Sequence, residues 1–261
     1  MTESDPLMPN KFLTILGTRV FCTSYELAVE NTKAWTLCGE SKYVCMANVH
    51  MLMEAYGSSN YHKYINAADL VTPDGMPLVW IMRLKGQKNQ KRVYGPTLML
   101  LLLQEVLKEK TPIGFYGGSP EVLTSLVLKM KERFSGLNVV YAYSPPFRDL
   151  SETEDNAVIE EMKNSGLRIL FVGLGCPKQE IWMAEHQSKI KAVMLGVGAA
   201  FDFHAGFKPQ APAWMQSLGL EWLYRLYIEP RRLWKRYLYH NPRFVFLAIM
   251  DLFGVRFSNH A

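Results

Sequence analysis

Apolar and polar positions along this chain repeat one grammar: a short β-prone run, a Gly-containing turn, then a helix-like stretch. The run from Ile113 to Tyr116 enters Gly117-Gly118, where Ser119 is placed to cap a helix that Pro120 begins and Glu121 supports near its positive end. NVVYAYSPPF reads as a strand ending in a loop. GLRILFVGLGCPKQEIWMAEHQ gives a strand, Gly173-x-Gly175 and a helix opening near Pro177, and KAVMLGVGAAFDF supplies a further buried strand. Strands alternating with helices predict an α/β fold with a mainly parallel sheet covered on both faces, and ligands in such sheets sit at the carboxyl ends of the strands. The N-terminal third is less regular, although Tyr25 to Trp35 and Thr97 to Lys108 have helical composition.

After Phe207-Lys208-Pro209-Gln210-Ala211-Pro212 the pattern turns aromatic and basic together, which divides the chain into an α/β core, 1–210, and a helical appendage, 211–261. At about 100° per residue, Arg225, Arg232 and Arg236 share one helical face. Leu223, Leu226, Tyr227, Leu233, Trp234 and Tyr237 gather opposite, and Pro230 interrupts the phase. One reading packs the aromatic face onto the core with solvated arginines outside. The other lays an interfacial helix against anionic headgroups or a phosphate-bearing substrate.

Charge sharpens that picture. The chain carries 29 Lys and Arg against 24 Asp and Glu, a formal +5. From Leu220 onward there are seven basic residues and three acids, so most of the excess lies in the appendage. Cys22, Cys38, Cys45 and Cys176 have neither C-x-x-C spacing nor a zinc pattern with His, so reduced thiols are expected. The N-terminus lacks the charged-then-apolar order of a signal peptide, and no apolar run approaches the ~20 residues of a membrane span. A cytoplasmic protein able to meet a membrane surface is the expectation.

Candidate chemistry centres on Thr72-Pro73-Asp74-Gly75, an acidic turn between INAADLV and MPLVWIM, two flanks that look buried. Asp74 is either a turn carboxylate bonded to its own backbone or a general base held at the edge of a core. Asn48 follows a β-prone run and is either a helix N-cap or an amide for a sugar hydroxyl. His50 reads as structural, with no second His or carboxylate at ligand spacing, and His204 is open between roles. Gly173-Leu174-Gly175 lacks the third glycine of a dinucleotide fingerprint, since Lys178 stands there. Lys178 and Gln179 fall at a helix N-terminus that favours anions, and Asp202 binds a hydroxyl or caps a loop. No H-E-x-x-H, G-x-S-x-G, Walker or Asp-x-Asp pattern is present, so no metal site is expected and arginines with helix ends are left to hold a diphosphate.

The stretches MANVHMLMEA, ADLVTPDGMPLVW, RVYGPTLM, FYGG, VGLGCPKQEIWM, GVGAAFDFHAG and GLEWLYRLYIEPRRLWKRY together closely resemble the WecG/TagA/CpsF family of bacterial glycosyltransferases, over roughly Thr14 to Phe244. The resemblance implies a Rossmann-like core of the glycosyltransferase type E kind with an appendage that completes the site at the membrane. It implies an inverting, metal-independent enzyme with no cofactor, moving a sugar from a UDP-sugar to a polyprenyl-diphosphate-linked sugar in envelope or exopolysaccharide synthesis. The expected place is the inner face of the plasma membrane. By position, Asp74 is the base, Asn48 and Gln179 are pocket residues, and Arg83 is a further polar position near the site. Arg225, Arg232 and Lys235 or Arg236 face a diphosphate. Met46 stands where members often carry Thr, which leaves the donor sugar open among N-acetylmannosamine, its uronic acid, glucose and others. The implied partners are the two substrates and an anionic membrane surface, without nucleic acid; self-association is left open. A non-catalytic nucleotide-sugar-binding or scaffold protein is the alternative.

Overall fold

The computed structural model describes residues 11–254. Among the described residues there are eight strands and twelve helices, with the strand–helix alternation expected from Ile113 onward and an N-terminal hairpin that the polarity pattern does not predict. Strands β1 (Phe12–Ile15) and β2 (Thr18–Phe21) pair antiparallel about Leu16 and Gly17, both at positive φ. Helix α1 (Tyr25–Cys38) follows, capped by Ser24.

The main sheet contains β3 (Lys42–Ala47), β4 (Leu70–Pro73), β5 (Ile113–Gly117), β6 (Val139–Tyr143), β7 (Ile169–Gly173) and β8 (Val193–Gly196). All its pairings are parallel, in the spatial order β4-β3-β8-β7-β5-β6, so the core is Rossmann-like. Central strands are buried almost throughout, as expected where helices cover both faces. The edge strand β6 instead alternates between buried and exposed positions.

Successive residues of one strand serve opposite faces. Tyr43, Cys45 and Ala47 pack with α2 (Val49–Gly57), α3 (Ser59–Ala67), α7 (Glu152–Asn164) and α8 (Lys178–His186). Val44 and Met46 pack with α1, α5 (Gly95–Lys108), α6 (Pro120–Arg133) and α9 (Ala200–His204). The cap on α6 is the expected one: Ser119 Oγ accepts from Val122 N, with Pro120 in the first turn.

Two glycines let the strand ends close up. A Cβ on Gly173 would lie 2.5 Å from the Phe201 ring, and one on Gly117 would lie 2.6 Å from the Gly173 carbonyl carbon. Larger residues there would push β5, β7 and α9 apart.

Helix α4 (Met76–Leu84) leaves the end of β4, and α10 (Ala213–Ser217), α11 (Glu221–Ile228) and α12 (Pro230–Leu252) complete the described chain. Phe244, Leu247 and Ala248 bring α12 into the same apolar cluster as α2. On the other side of the helices, Tyr227 is 82% exposed and Trp234 46% exposed. The reading that packs the whole aromatic face onto the core holds only in part: Leu233 is buried, but Tyr227 and Trp234 are exposed, and α12 docks through Leu233, Phe244, Leu247 and Ala248. No helix of the described residues is long and apolar enough to cross a membrane.

Candidate active site

The strand ends and the C-terminal helices enclose one cavity of about 1310 Å³. A pocket for one drug-sized ligand takes ~300–1,000 Å³, so this one has room for more than one molecule. Its lining draws on the turns after most strands of the main sheet: Asn48 after β3, Asp74 after β4, Gly118 after β5, Gly175 after β7 and Gly198 after β8.

Asp74 is fixed before its side chain is considered. Its backbone N–H and that of Gly75 both donate to the Ala47 carbonyl, at 2.8 and 3.0 Å. A Cβ on Gly75 would come within 3.2 Å of Asn48 Cα, so the turn lies tight against the end of β3. The carboxylate that results is only 14% exposed.

Arg92 then joins three pieces of the chain. Its Nη2 lies 3.3 Å from Asp74 Oδ1 and 2.6 Å from Glu221 Oε2, and its Nε donates to the Asp74 carbonyl. Its guanidinium stacks 3.9 Å above the Tyr94 ring, whose hydroxyl donates to Glu221 Oε1 at 3.0 Å. Burial pushes the Asp74 carboxyl up to about 6; Arg92 and Arg225 draw it down, while Glu221 pushes it further up. The group is mostly ionised at neutral pH yet basic enough to accept a proton. Arg92 and Tyr94 lie in RVYGPTLM and Glu221 in GLEWLYRLYIEPRRLWKRY, so both stretches were legible as motifs. Sequence spacing gave no sign that they meet.

The other predicted residues separate into groups. Asn48 caps α2 through Oδ1, accepting from Met51 N at 3.2 Å, and it also lines the cavity. Gln179 is 5% exposed and its amide is committed: Oε1 accepts from Gly175 N at 3.1 Å, while Nε2 donates to the Gly196 carbonyl at 3.0 Å and to Glu180 Oε1 at 2.6 Å. It holds the β7 and β8 turns in register with each other. Lys178 lines the cavity at the start of α8. Asp202 is paired at 3.2 Å with Lys208, which also reaches Glu229, so it ties α9 to the C-terminal helices.

Arg225, Arg232 and Arg236 all reach the cavity. Arg232 is paired bidentately with Glu229, and Arg225 lies 5.9 Å over the Phe203 ring. Arg236 Nε is buried with no hydrogen-bond partner among the described residues. Lys235 and Arg83 do not line the cavity: Lys235 sits over Trp234, and Arg83 Nε donates to the Gln90 carbonyl at 2.9 Å. His204 bonds the Pro96 carbonyl at 2.9 Å, a structural role. Met46 lines the cavity and its Sδ accepts from the Thr72 hydroxyl at 3.1 Å.

His50 does not stand alone, contrary to expectation: a carboxylate lies at i+4 in its own sequence, and only the histidine comes from far along the chain. Glu54 stands one helical turn on, and α12 delivers His240, placing ligand-capable atoms of all three within 4.8 Å of one another. Burial and the charge of Arg236 press His50 down to about 3, so it is neutral at ordinary pH.

An N-acetylglucosaminyldiphosphoundecaprenol N-acetyl-β-D-mannosaminyltransferase of Bacillus spizizenii is 29% identical to this chain over 204 residues, which cover 78% of the chain and 77% of the relative. The family model described as the glycosyl transferase WecG/TagA/CpsF family matches residues 13–257. The chain belongs to the WecG/TagA/CpsF family of glycosyl transferases.

Proposed function

We propose that this enzyme moves a sugar from a UDP-sugar to the hydroxyl of a polyprenyl-diphosphate-linked sugar, with inversion and without a metal, at a membrane surface. The observation that carries the reading is Asp74: a carboxylate raised to about 6, backbone-fixed at the strand ends, in a cavity that three arginines of the C-terminal helices also reach. Asp74 takes the proton of the acceptor hydroxyl as its oxygen bonds to the anomeric carbon. The bond from that carbon to the UDP oxygen breaks on the opposite side, so configuration inverts.

Charge accumulates on the departing diphosphate, and Arg225, Arg232 and Arg236 supply positive charge for it. Arg92, rather than Arg83, is the polar partner of the base, and it aligns the Asp74 carboxylate while linking it to Glu221. Gln179 acts by holding the two glycine turns, and Asn48 by placing the β3 end against Asp74. Residues 211–261 serve as the appendage that completes the site, with exposed Tyr227 and Trp234 suited to the water–lipid boundary.

The test is release of UDP from a panel of UDP-sugars with a lipid-diphosphate acceptor, beginning with N-acetylmannosamine as donor sugar and an N-acetylglucosamine acceptor, the pair that the relative's name gives. Turnover that persists in chelator supports the arginines as sole charge carriers. Loss in chelator, restored by a divalent cation and abolished by His240→Ala, would replace that reading with a metal at His50, Glu54 and His240. Donor binding without transfer to any acceptor would favour a binding or scaffold protein.

A further inference from the structure

The cavity continues from the strand ends along α4 and α12, and this part has a different character. Helix α4 starts immediately after Asp74-Gly75 and turns Trp80, Ile81 and Leu84 to the cavity; α12 faces them with Val245, Ile249 and Leu252. Beyond His240, no ionisable residue of α12 lines it. Val245 and Ile249 are 55% and 47% exposed, apolar surface that the protein itself leaves uncovered. A salt bridge of 2.6 Å between Lys85, just past α4, and Asp251 of α12 pins the two helices at this distant end. Lys85 also donates to the Thr14 carbonyl at 2.8 Å, anchoring the pair to the N-terminal hairpin.

The cavity face of α12 thus runs from a charged end to an apolar end, and the face of α4 opposite it is apolar throughout. Along α12 the order is Arg232, Arg236, His240, then Val245, Ile249 and Leu252. At ~1.5 Å per residue, Arg236 and Leu252 are about 24 Å apart along the helix. A ligand matching this layout has a polyanionic head and a long hydrocarbon tail, joined end to end.

Resting on the transferase reading above, we propose that the α4–α12 channel is a binding subsite for the first isoprene units of the acceptor's prenyl chain, continuous with the diphosphate position beside Arg236. The channel therefore sets the acceptor's register: hydrocarbon held between Leu84 and Ile249 draws the diphosphate to the arginines and the sugar hydroxyl toward Asp74. Chain length is read by the protein and not only by the membrane.

The test compares kcat/KM for acceptors with one sugar diphosphate head and prenyl chains of increasing length, all in the same detergent micelle. In the parent enzyme the longer chain is favoured. Val245→Gln with Ile249→Gln lowers that long-over-short ratio by about tenfold, the scale of a few buried methylenes. Phe246→Gln, at an exposed position outside the cavity lining, leaves the ratio unchanged. A parent ratio independent of chain length, or an equal loss in Phe246→Gln, overturns the channel. A prenyl diphosphate carrying a photoreactive group on its tail gives a readout separate from turnover: labelling of α4 and α12 peptides supports the subsite even if no acceptor reacts, and labelling confined to other elements overturns it.

Discussion

The α/β sheet and the helices after residue 210 are built on different terms. Central strands such as β7 and β8 are buried along nearly their whole length, whereas α10 and α11 contain no buried residue at all. The base therefore stands on the sheet, whereas Arg225 stands on α11, which buries no residue, and Arg232 and Arg236 stand on α12, held by Leu233, Phe244, Leu247 and Ala248. Polar links between them include Arg92 with Asp74 and Glu221, Lys208 with Asp202 and Glu229, and Lys85 with Asp251. Such a division suits a site that must open to a membrane-bound substrate yet keep its proton acceptor fixed.

The sharpest way to test that division is to remove function from each side in turn. Asp74→Asn is expected to lower kcat by about 10²–10⁴-fold, the range for a general base, while nucleotide binding by calorimetry stays near the parent value. Arg236→Ala should cost about 10²–10³-fold in kcat, as for loss of one preorganised charge at a developing anion, and its thermal midpoint should barely move. Phe244→Ala attacks the dock itself. Truncating this buried ring should destabilise the protein by about 3 kcal/mol in denaturant titration.

A smaller effect runs in the opposite direction. The folded-state pKa of Asp74 is raised from 3.8 to about 6, so the folded protein holds this proton more tightly than the unfolded chain does. The resulting stabilisation is complete below the unfolded value and is lost as pH rises through about 6, leaving an ionised, partly desolvated group at neutral pH. Asp74→Asn should accordingly raise stability by roughly 1–3 kcal/mol at pH 7 while losing activity. Smallest is Glu221→Gln. It removes a charge that pushes Asp74 up, so the acidic limb of the activity profile should move to lower pH.

The same two regions differ in how far the sequence disclosed them. Strand runs, Gly turns and the Ser119-Pro120 cap are local signals, and the sheet was legible from them. Asp74 was legible because its acidic turn interrupts two apolar flanks. Nearness in sequence favours Arg83 over Arg92 as the polar neighbour of Asp74, and only folding shows which guanidinium turns toward the carboxylate. Periodicity put Arg225, Arg232 and Arg236 on one face, but it could not say whether that face meets solvent or a cavity. The grouping of His50 and Glu54 with His240 depends on how α12 crosses α2, a tertiary fact with no local signature. Gln179 illustrates a different limit: its position near the site was readable, whereas the commitment of its amide to Gly175 and Gly196 was not.

The most direct measurement is the pH dependence of kcat/KM for the parent enzyme, which reports groups of the free protein. A fall in activity on the acid side with an apparent pKa of about 6, absent from the residual activity of Asp74→Asn, is the predicted result. An acid limb that persists unchanged in Asp74→Asn would contradict the assignment of Asp74 as the base.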